Sequence, residues 1–495
     1  MFRDARLCGL VSLAKQAALV LKVSQTAWSD SLMDKPRSIH FLGICGTAMG
    51  AVAAAIRDLG YIVTGSDDNV YPPMSSFLQS AGIEVSEGFV AENTPEEVDL
   101  VVVGNAICRG NPELESILNK KKFYRSLPET LKEFFLRGRT NIVITGTHGK
   151  TTTTALVAWL FRQAGLDPSF LIGGIAKDLG QGAAFTESKY FVIEGDEYDT
   201  AFFDKRSKFL HYLPETVVIN NIEFDHADIF SDLEEIKLSF RRLVNIVPSE
   251  GLIFVNADDP HCLDVAANSR AQVLTVGFKE NCTHRISKAY YTSSGSVFVL
   301  KGNTFEMPLI GEFNVRNAAM AVSVALAYGL SLDRVRNALA IFTGVSRRQE
   351  LRGEASGIKI IDDFGHHPTA IRETLFALRH RYPGHKIWAI FEPRSNTTRR
   401  ATFQTALPQA LQCADSVILA GVVRSDQLPL QDRLDPERVV QAIRESGIPA
   451  FYEPHVDDIL QRVKPLVKPG DIVVVFSNGG FEGIHRRLLT ELAPT

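Results

Sequence analysis

The segment 142–152 constrains the fold of this chain more than any other part of its sequence. An apolar run at residues 142–144 is typical of a buried strand, and a glycine turn follows it and ends at Lys150. The spacing of apolar residues after Lys150 predicts a helix that stops near Gly165. A strand, a glycine turn and a helix N-terminus form a phosphate-binding arrangement, because backbone N–H groups can approach the phosphate oxygens closely. The sequence therefore predicts a nucleoside triphosphate site.

The glycine turn is shorter than the common phosphate loop. Only two residues separate its two glycines, where the common pattern has about four. We expect Lys150 to neutralise phosphate charge and a threonine hydroxyl to hold Mg²⁺. A chance Gly-Lys-Thr in a turn is the alternative, which the strand–turn–helix context disfavours. The residues expected to contact the triphosphate are Gly146, Thr147, His148, Gly149, Lys150, Thr151 and Thr152.

Composition limits the class of protein. The chain has 495 residues, of which 45% are hydrophobic and 22% charged, with a formal net charge of −4. This size predicts about three globular domains, and the charge indicates neither nucleic-acid binding nor attraction to an anionic membrane. The six cysteines include no Cys-x-x-Cys pair. Scattered cysteines are typical of a reducing compartment, so we expect a cytoplasmic protein, and no obligate protein partner is evident.

Strands alternate with helices along most of the chain, which predicts the α/β class with parallel sheets. We expect a poorly ordered extension at 1–37 and three domains at 38–138, 139–343 and 344–495. The apolar part of the extension is interrupted by Lys15 and Lys22, so it is too charged to span a bilayer. A signal peptide is the less favoured alternative for this extension.

The first domain carries a second glycine-rich turn after a predicted strand at 39–42. Its glycines, Gly43, Gly46 and Gly50, are not spaced as in a dinucleotide fingerprint. Close approach of this backbone to a diphosphate is one interpretation, with Asp67 at the end of the next strand accepting a ribose hydroxyl. Tight packing of the helix on the strand by glycine is an equally acceptable interpretation.

Acidic residues follow two predicted strands of the second domain. Glu194 follows the strand 190–193, and the segment that ends at His226 follows the strand 216–219. Ligands gather at the carboxyl ends of parallel strands, and Mg²⁺ prefers oxygen ligands. Solvated loops with helix-capping acids are the alternative. Further on, Asn314 and Asn317 lie one helical turn apart and could read an adenine edge, or serve as a cap and a surface residue.

Turns of the third domain carry further polar residues. Strands are predicted at 359–361, 386–391, 416–419 and 472–476, and polar segments follow at 362–368, 392–397 and 477–481. The vicinal pair His366 and His367 suggests a metal, but neither a cysteine nor an acid stands at ligand spacing. Hydrogen bonding to a substrate or to the core is therefore the favoured interpretation.

These segments, taken in order, resemble the Mur ligases, the ATP-dependent amide-forming enzymes of bacterial cell-wall precursor synthesis. The resemblance rests on 146–152, on Glu194, on the Asn-Ile-Glu-x-Asp-His segment ending at His226, and on 347–348 and 362–368, and it spans about residues 38–490. It implies a Rossmann-like UDP-sugar domain, a central P-loop ATPase-like domain and a C-terminal Rossmann-like domain.

The resemblance also implies roles for residues. Lys150, Glu194 and His226 are the expected catalytic residues, and Thr151, Glu194 and His226 the expected Mg²⁺ ligands. ATP would also contact Asn314, Asn317, Arg348 and Asp363. UDP-N-acetylmuramate would contact Gly43, Gly46, Thr47 and Asp67, and the amine acceptor would contact Arg394, Ser395 and Asn396.

Four segments, 43–50, 70–74, 391–397 and 476–480, resemble one branch of the family. That branch joins UDP-N-acetylmuramate to the murein tripeptide L-Ala-γ-D-Glu-meso-diaminopimelate through an acyl phosphate, in murein recycling. The branch that adds L-alanine is the first alternative, and a nucleotide-gated muropeptide-binding protein without ligase activity is the second. Phe313 departs from the family, whose members usually carry histidine there, and no modification is assigned to Lys237.

Overall fold

The computed structural model describes residues 38–71 and 74–494. The expectations for residues 1–37, and part of the segment 70–74, lie outside the described residues. The chain divides into two compact units, one that ends at Arg125 and one that begins at Ser126. The domain boundaries expected at 138/139 and 343/344 stay predictions.

The first unit is a parallel α/β sheet in the strand order β3-β2-β1-β4-β5. The chain leaves β1 for β2 on one side and later returns to β4 on the other. The end of β1 is therefore the point where the strand order reverses, and such points hold ligands in open α/β sheets. The elements are β1 (Ser38–Leu42), α1 (Thr47–Asp58), β2 (Ile62–Asp67), α2 (Met74–Ser80), β3 (Glu84–Glu87), β4 (Leu100–Val103), α3 (Pro112–Asn119) and β5 (Tyr124–Ser126).

The second unit begins with a short helix and contains a ten-stranded sheet in the order β17-β16-β15-β14-β13-β12-β6-β9-β7-β8. Strands β14, β13, β12, β6, β9 and β7 run parallel to one another, and antiparallel strands form both edges of the sheet. The elements are α4 (Leu127–Leu131), β6 (Thr140–Thr145), α5 (Lys150–Gln163), β7 (Ser169–Ala176), β8 (Gln181–Ala184), β9 (Tyr190–Glu194), β10 (Asp199–Ala201), β11 (Asp204–Ser207), β12 (Thr216–Ile219), α6 (Leu233–Asn245), β13 (Leu252–Asn256), α7 (Pro260–Ala266), β14 (Gln272–Gly277), β15 (His284–Tyr291), β16 (Ser296–Leu300), β17 (Asn303–Met307), α8 (Glu312–Ala327) and α9 (Leu332–Ala340).

A six-stranded sheet completes the second unit, in the order β18-β19-β23-β20-β21-β22. Only β18 is antiparallel to its neighbour among these described strands. The elements are β18 (Glu350–Ala355), β19 (Ile358–Asp363), α10 (Pro368–Arg381), β20 (Ile387–Phe391), α11 (Ala406–Leu411), β21 (Ser416–Leu419), α12 (Pro436–Glu445), β22 (Ala450–Tyr452), α13 (Val456–Val463), β23 (Ile472–Phe476) and α14 (Ile484–Glu491).

The predicted α/β class is confirmed, and the cores explain it. Central strands of both large sheets, such as β12 and β23, are fully buried apolar runs, as expected of parallel strands that are covered on both faces. Helix α5 is buried along its whole first three turns, packed between the ten-stranded sheet and α8. The predicted strands at 216–219, 416–419 and 472–476 occur at those residues. No helix among the described residues has the length and apolar character that crossing a membrane requires.

Candidate active site

Three loops of the second unit meet at one edge of the ten-stranded sheet. The phosphate loop follows β6, and β6 lies between β9 and β12. Because these three strands are parallel, their carboxyl ends meet, as the sequence predicted for the two acidic segments. The loop turns sharply at Gly146 and Gly149, whose φ angles are +127° and +79°. Only glycine adopts these angles without strain.

Glu197 lies at the centre of the charged groups behind the phosphate loop. Its carboxylate accepts a hydrogen bond from Lys150 Nζ at 2.8 Å and lies 3.2 Å from His226 Nε2. Lys150 also donates to the carbonyl of Gly146 at 2.8 Å. Burial opposes the charge on Glu197, but these two cationic neighbours outweigh it and lower its pKa to about 2. No role for Glu197 was predicted from the sequence.

The same ion pairs shift the pKa values of Lys150 and His226, two of the expected catalytic residues. Burial alone would lower the pKa of Lys150, but attraction to Glu197 and Asp196 raises it. Burial likewise opposes the charge on His226, and contact with Glu197 raises its pKa. His226 also has a φ of +54°, which is uncommon for a residue with a side chain. Lys150 and His226 therefore share one carboxylate partner, Glu197.

Glu194 lies directly beside the first turn of α5. Thr151 Oγ1 donates to Glu194 Oε1 at 3.0 Å, and the Gly173 amide donates to Glu194 Oε2 at 2.6 Å. Burial raises the pKa of Glu194, and Asp196 adds to this effect. The guanidinium of Arg348 donates to the Thr151 hydroxyl at 3.3 Å. Thr151, Glu194 and Arg348 thus form one polar group, as expected of residues that act on one ligand.

Asn221 fixes the conformation of the phosphate loop, which sequence reasoning did not foresee. Its side-chain oxygen accepts from the His148 amide at 2.7 Å, and its side-chain nitrogen donates to the His148 carbonyl at 3.2 Å. Its backbone carbonyl accepts from the Thr147 amide at 3.0 Å. Asn221 is the second residue after β12, so the only available signal was an amide close to the end of a strand.

The predicted adenine-reading pair lies at the start of α8, on the other side of the loop. Both asparagines are 5% exposed. Asn314 donates to the carbonyl of Ile310 at 2.9 Å, and Asn317 Oδ1 lies 2.4 Å from where a Cβ on Gly149 would stand. Asn317 therefore packs directly against the phosphate loop. The alternative of an N-cap and a surface residue is wrong, because Gly311 is the N-cap of α8 and both asparagines are buried.

The loops after β19, β23 and β20 meet because these strands are neighbours in the six-stranded sheet. Asp363, the last residue of β19, accepts from the amides of Gln349 and Gly365 at 2.9 and 2.7 Å, and burial raises its pKa. Arg347 donates to the carbonyls of Ser477 and Gly479 at 2.7 and 2.8 Å. Arg347 thus holds the loops together, whereas Arg348 points to the phosphate loop.

The loop after β20 carries the predicted acceptor residues and contacts the loop after β12. Asn396 donates to Asp228 at 2.6 Å, and Thr397 donates to Asp225 at 2.6 Å. The Arg394 guanidinium is 40% exposed and lies 3.6 Å from Glu392. Ser395 Oγ lies 2.9 Å from Thr398 Oγ1. Among the three acceptor candidates, Arg394 is the charged residue, and its exposed guanidinium can contact a charged ligand.

One cavity of about 920 Å³ unites these groups. All predicted ATP, metal and acceptor residues of the second unit line it except Gly146. It also reaches Phe313, the residue that departs from the family pattern. Apolar walls with convergent polar groups are typical of a small-molecule site. The cavity therefore has room and charge for a nucleotide beside a second ligand.

The predicted sugar-nucleotide residues all lie in the first unit. Gly43 has a φ of +86°, and Gly46 and Thr47 lie at the exposed start of α1. Both oxygens of Asp67 accept backbone N–H groups, from Cys45 and Asn69, each at 2.9 Å. Asp67 therefore closes its own turn, in addition to any ligand it contacts. A Cβ on Gly50 would lie 2.7 Å from Met74 Sδ, so a side chain there would displace the methionine at the start of α2.

Three family profiles match the chain. A Mur ligase family catalytic domain matches residues 38–139, a Mur ligase middle domain matches 144–325, and a Mur ligase glutamate ligase domain matches 347–479. Together they account for most of the described residues.

Named relatives agree with these matches. The UDP-N-acetylmuramate–L-alanyl-γ-D-glutamyl-meso-2,6-diaminoheptandioate ligase of Escherichia coli strain K12 is 43% identical, over 92% of this chain and 98% of that protein. The UDP-N-acetylmuramate–L-alanine ligase of Acetivibrio thermocellus is 30% identical, over 91% and 95%. The crystal structure of a murein peptide ligase from Psychrobacter arcticus 273-4 superposes with a TM-score of 0.72 at 36% identity, over 93% and 99%. The chain belongs to the Mur ligase family.

Proposed function

We propose that this chain is an ATP-dependent ligase that joins UDP-N-acetylmuramate to the tripeptide L-Ala-γ-D-Glu-meso-diaminopimelate. The observation that carries the proposal is the single cavity that collects the phosphate loop, Glu194, His226, Arg348 and the loop of Arg394. Such a cavity can hold ATP and an acceptor at once, which a two-step ligase requires. ATP and a UDP-linked sugar are cytoplasmic metabolites, so we infer that the protein acts in the cytoplasm.

ATP is needed because a free carboxylate does not acylate an amine in water. The muramyl carboxylate oxygen attacks the γ-phosphorus of ATP, forming an acyl phosphate and releasing ADP. The acceptor amine then attacks the carbonyl carbon, and phosphate leaves. Both steps depend on positioning and on stabilising charge on the transferring oxygens.

Lys150 and Arg348 supply that charge. Both cations lie at the start of α5, where the helix N-terminus adds its own partial positive charge. Lys150 neutralises the transferring phosphoryl oxygens, which compete with Glu197 for its ammonium group. Arg348 comes from the segment beyond α9, so the cavity needs both sheets of the second unit in contact. That contact excludes water from the acyl phosphate.

The residues present fit a Mg²⁺ ion. Thr151 Oγ1 and Glu194 Oε1 are oxygen donors 3.0 Å apart beside the phosphate loop, and a small hard cation needs only one or two such protein ligands. When bound, Mg²⁺ neutralises phosphate charge and orients the terminal phosphoryl group. His226, held by Glu197 at 3.2 Å, is the proposed ligand of a second ion.

Arg394, Ser395 and Asn396 are the proposed acceptor contacts. The tripeptide carries several carboxylates, and an exposed guanidinium can hold one with two hydrogen bonds. The identity to the relative named for the tripeptide is 43%, against 30% for the relative named for L-alanine. This difference supports the tripeptide over the single amino acid. The sugar-nucleotide contacts are proposed at Gly43, Gly46, Thr47 and Asp67.

A competition assay tests the proposal. Purified protein receives UDP-N-acetylmuramate, ATP and Mg²⁺ with the tripeptide, with L-alanine, or with both, and the products are identified by mass spectrometry. We expect phosphate release and tripeptide product, also when L-alanine is in excess. Product from L-alanine alone would contradict the acceptor assignment. Nucleotide binding without product from either acceptor would instead support a binding protein.

A further inference from the structure

Two histidines and a glutamate meet beside the phosphate loop, and the proposed function gives their side chains no task. His148 belongs to the phosphate loop, Glu223 to the loop after β12, and His367 is the N-cap of α10. His367 is 6% exposed, and the side chain of His148 is 16% exposed. The three groups come from separate elements of the second unit, so their meeting is a product of the tertiary structure.

The spacing of the three side chains is that of metal ligands. His367 Nδ1 lies 3.3 Å from Glu223 Oε2, and His148 Nε2 lies 3.6 Å from the same oxygen. The three ligand atoms all lie within 4.8 Å of one another. Ligands bound about 2.0 to 2.1 Å from a tetrahedral zinc ion are about 3.4 Å apart. The separations from Glu223 therefore already match a coordinated set.

The hydrogen bonds fix the tautomer of His367 and leave His148 Nε2 without a partner. His367 Nε2 lies 3.3 Å from the carbonyl of Phe224 and donates its proton there, which leaves the lone pair on Nδ1. His148 Nε2 is buried and has no hydrogen-bond partner among the described residues. Thr369 donates its hydroxyl to Glu223 Oε2 at 2.7 Å and its amide to His367 Nδ1 at 3.2 Å. An ion bound at His367 Nδ1 would replace the hydrogen bond from the Thr369 amide, so coordination requires breaking that bond.

We propose that His148, Glu223 and His367 bind one divalent transition-metal ion of the zinc class. Two imidazoles and one carboxylate suit zinc or its neighbours better than Mg²⁺, which prefers oxygen. The site is thus chemically distinct from the Mg²⁺ ligands proposed at Thr151 and Glu194. The ion joins the phosphate loop to the start of α10, and so holds the two sheets of the second unit together.

Metal binding without substrates tests this inference. Untagged protein is stripped with a chelator and titrated with Co²⁺, which reports its coordination by visible absorption, and with Zn²⁺ by calorimetry. We expect one ion per chain with a tetrahedral or five-coordinate Co²⁺ spectrum. We also expect Zn²⁺ to raise the melting temperature, and millimolar Mg²⁺ to leave Co²⁺ bound.

Variants assign the site. His367→Ala and Glu223→Gln should each weaken Co²⁺ binding at least tenfold and abolish the spectrum, and Glu223→Gln keeps the shape of the side chain in case His367→Ala unfolds. His455→Ala, at an exposed histidine outside the cluster, should bind as the wild type does. Wild-type protein without a stoichiometric ion, or a Co²⁺ spectrum that is unchanged in both His367→Ala and Glu223→Gln, would overturn the proposal. Because no substrate is present, failure of the ligase assay does not affect this result.

Discussion

The chain contains two glycine-rich turns that we call corners. The first corner begins at Gly43, after β1 in the first unit, and the second is the phosphate loop that begins at Gly146, after β6 in the second unit. Both join the carboxyl end of a parallel strand to a helix, and both use a glycine with positive φ. Behind the first corner the charged partner is Asp67, which binds the corner's own backbone. Behind the second corner are Lys150 and Glu197, an ion pair.

The difference shows that a glycine corner alone does not specify its ligand. The backbone offers N–H groups in both cases, and at the second corner Lys150 Nζ, 2.8 Å from the carbonyl of Gly146, is a cation within reach of a transferring phosphoryl group. A corner without such a cation can hold a diphosphate that does not react. A corner with Lys150 and a helix N-terminus can also stabilise charge that develops during transfer.

The largest expected effect is on kcat and comes from removing the lysine of the second corner. Lys150→Ala should lower kcat by about 100- to 1000-fold, because it removes a donor to the transferring oxygens. Affinity for UDP-N-acetylmuramate, measured by calorimetry, should stay within twofold. Lys288→Ala, at an exposed position on β15, is the matched control and should keep full activity. Full activity in the Lys150 variant would mean that the second corner is not the reacting one.

The next effect tests the rigidity of the second corner. Gly149→Ala forces a side chain into a φ of +79° and places its Cβ 2.4 Å from Asn317 Oδ1. We expect a loss of about 1 to 2 kcal/mol of unfolding free energy from the backbone. The KM for ATP should rise about tenfold as Asn317 is displaced, equivalent to about 1.4 kcal/mol. An unchanged KM for ATP would argue against nucleotide contact at Asn317.

A smaller effect distinguishes two roles of Asp67. In Asp67→Asn one of the backbone N–H groups, of Cys45 or Asn69, faces an amide NH₂ instead of an oxygen. Leaving a donor unsatisfied costs about 1 to 3 kcal/mol, so chemical denaturation should show lower stability. If the KM for UDP-N-acetylmuramate rises while stability is unchanged, Asp67 reads the ligand and the loop does not depend on it.

The smallest effect probes backbone approach at the first corner. Gly46 has a φ of −63°, and a Cβ there would lie 3.6 Å from the nearest atom, the carbonyl of Gly43. Gly46→Ala should therefore change stability by only about 0.5 kcal/mol. A fivefold rise in the KM for UDP-N-acetylmuramate, about 1 kcal/mol, is expected if a diphosphate touches this backbone. No rise would leave Gly46 with a packing role only.

The local pattern of the sequence determined the strands, the second glycine corner and the helix behind it. Apolar runs fix strands because burial on both faces of a parallel sheet requires them, and the observed bounds of β12, β21 and β23 follow that rule. The α/β class, the family and the acidic segment after β9 were predictable for the same reason. These features depend on residues close together in the chain.

The partners of each charged group were decided only by the tertiary structure. Nothing local shows that Glu197 receives both Lys150 and His226, or that Asn221 braces the phosphate loop. The sequence interpretation found no acid at ligand spacing for His367, because Glu223 lies 144 positions away and meets it only through strand order. Sequence thus determined which groups this protein has, and packing determined which of them face one another, since contacts across a sheet edge depend on topology and not on sequence separation.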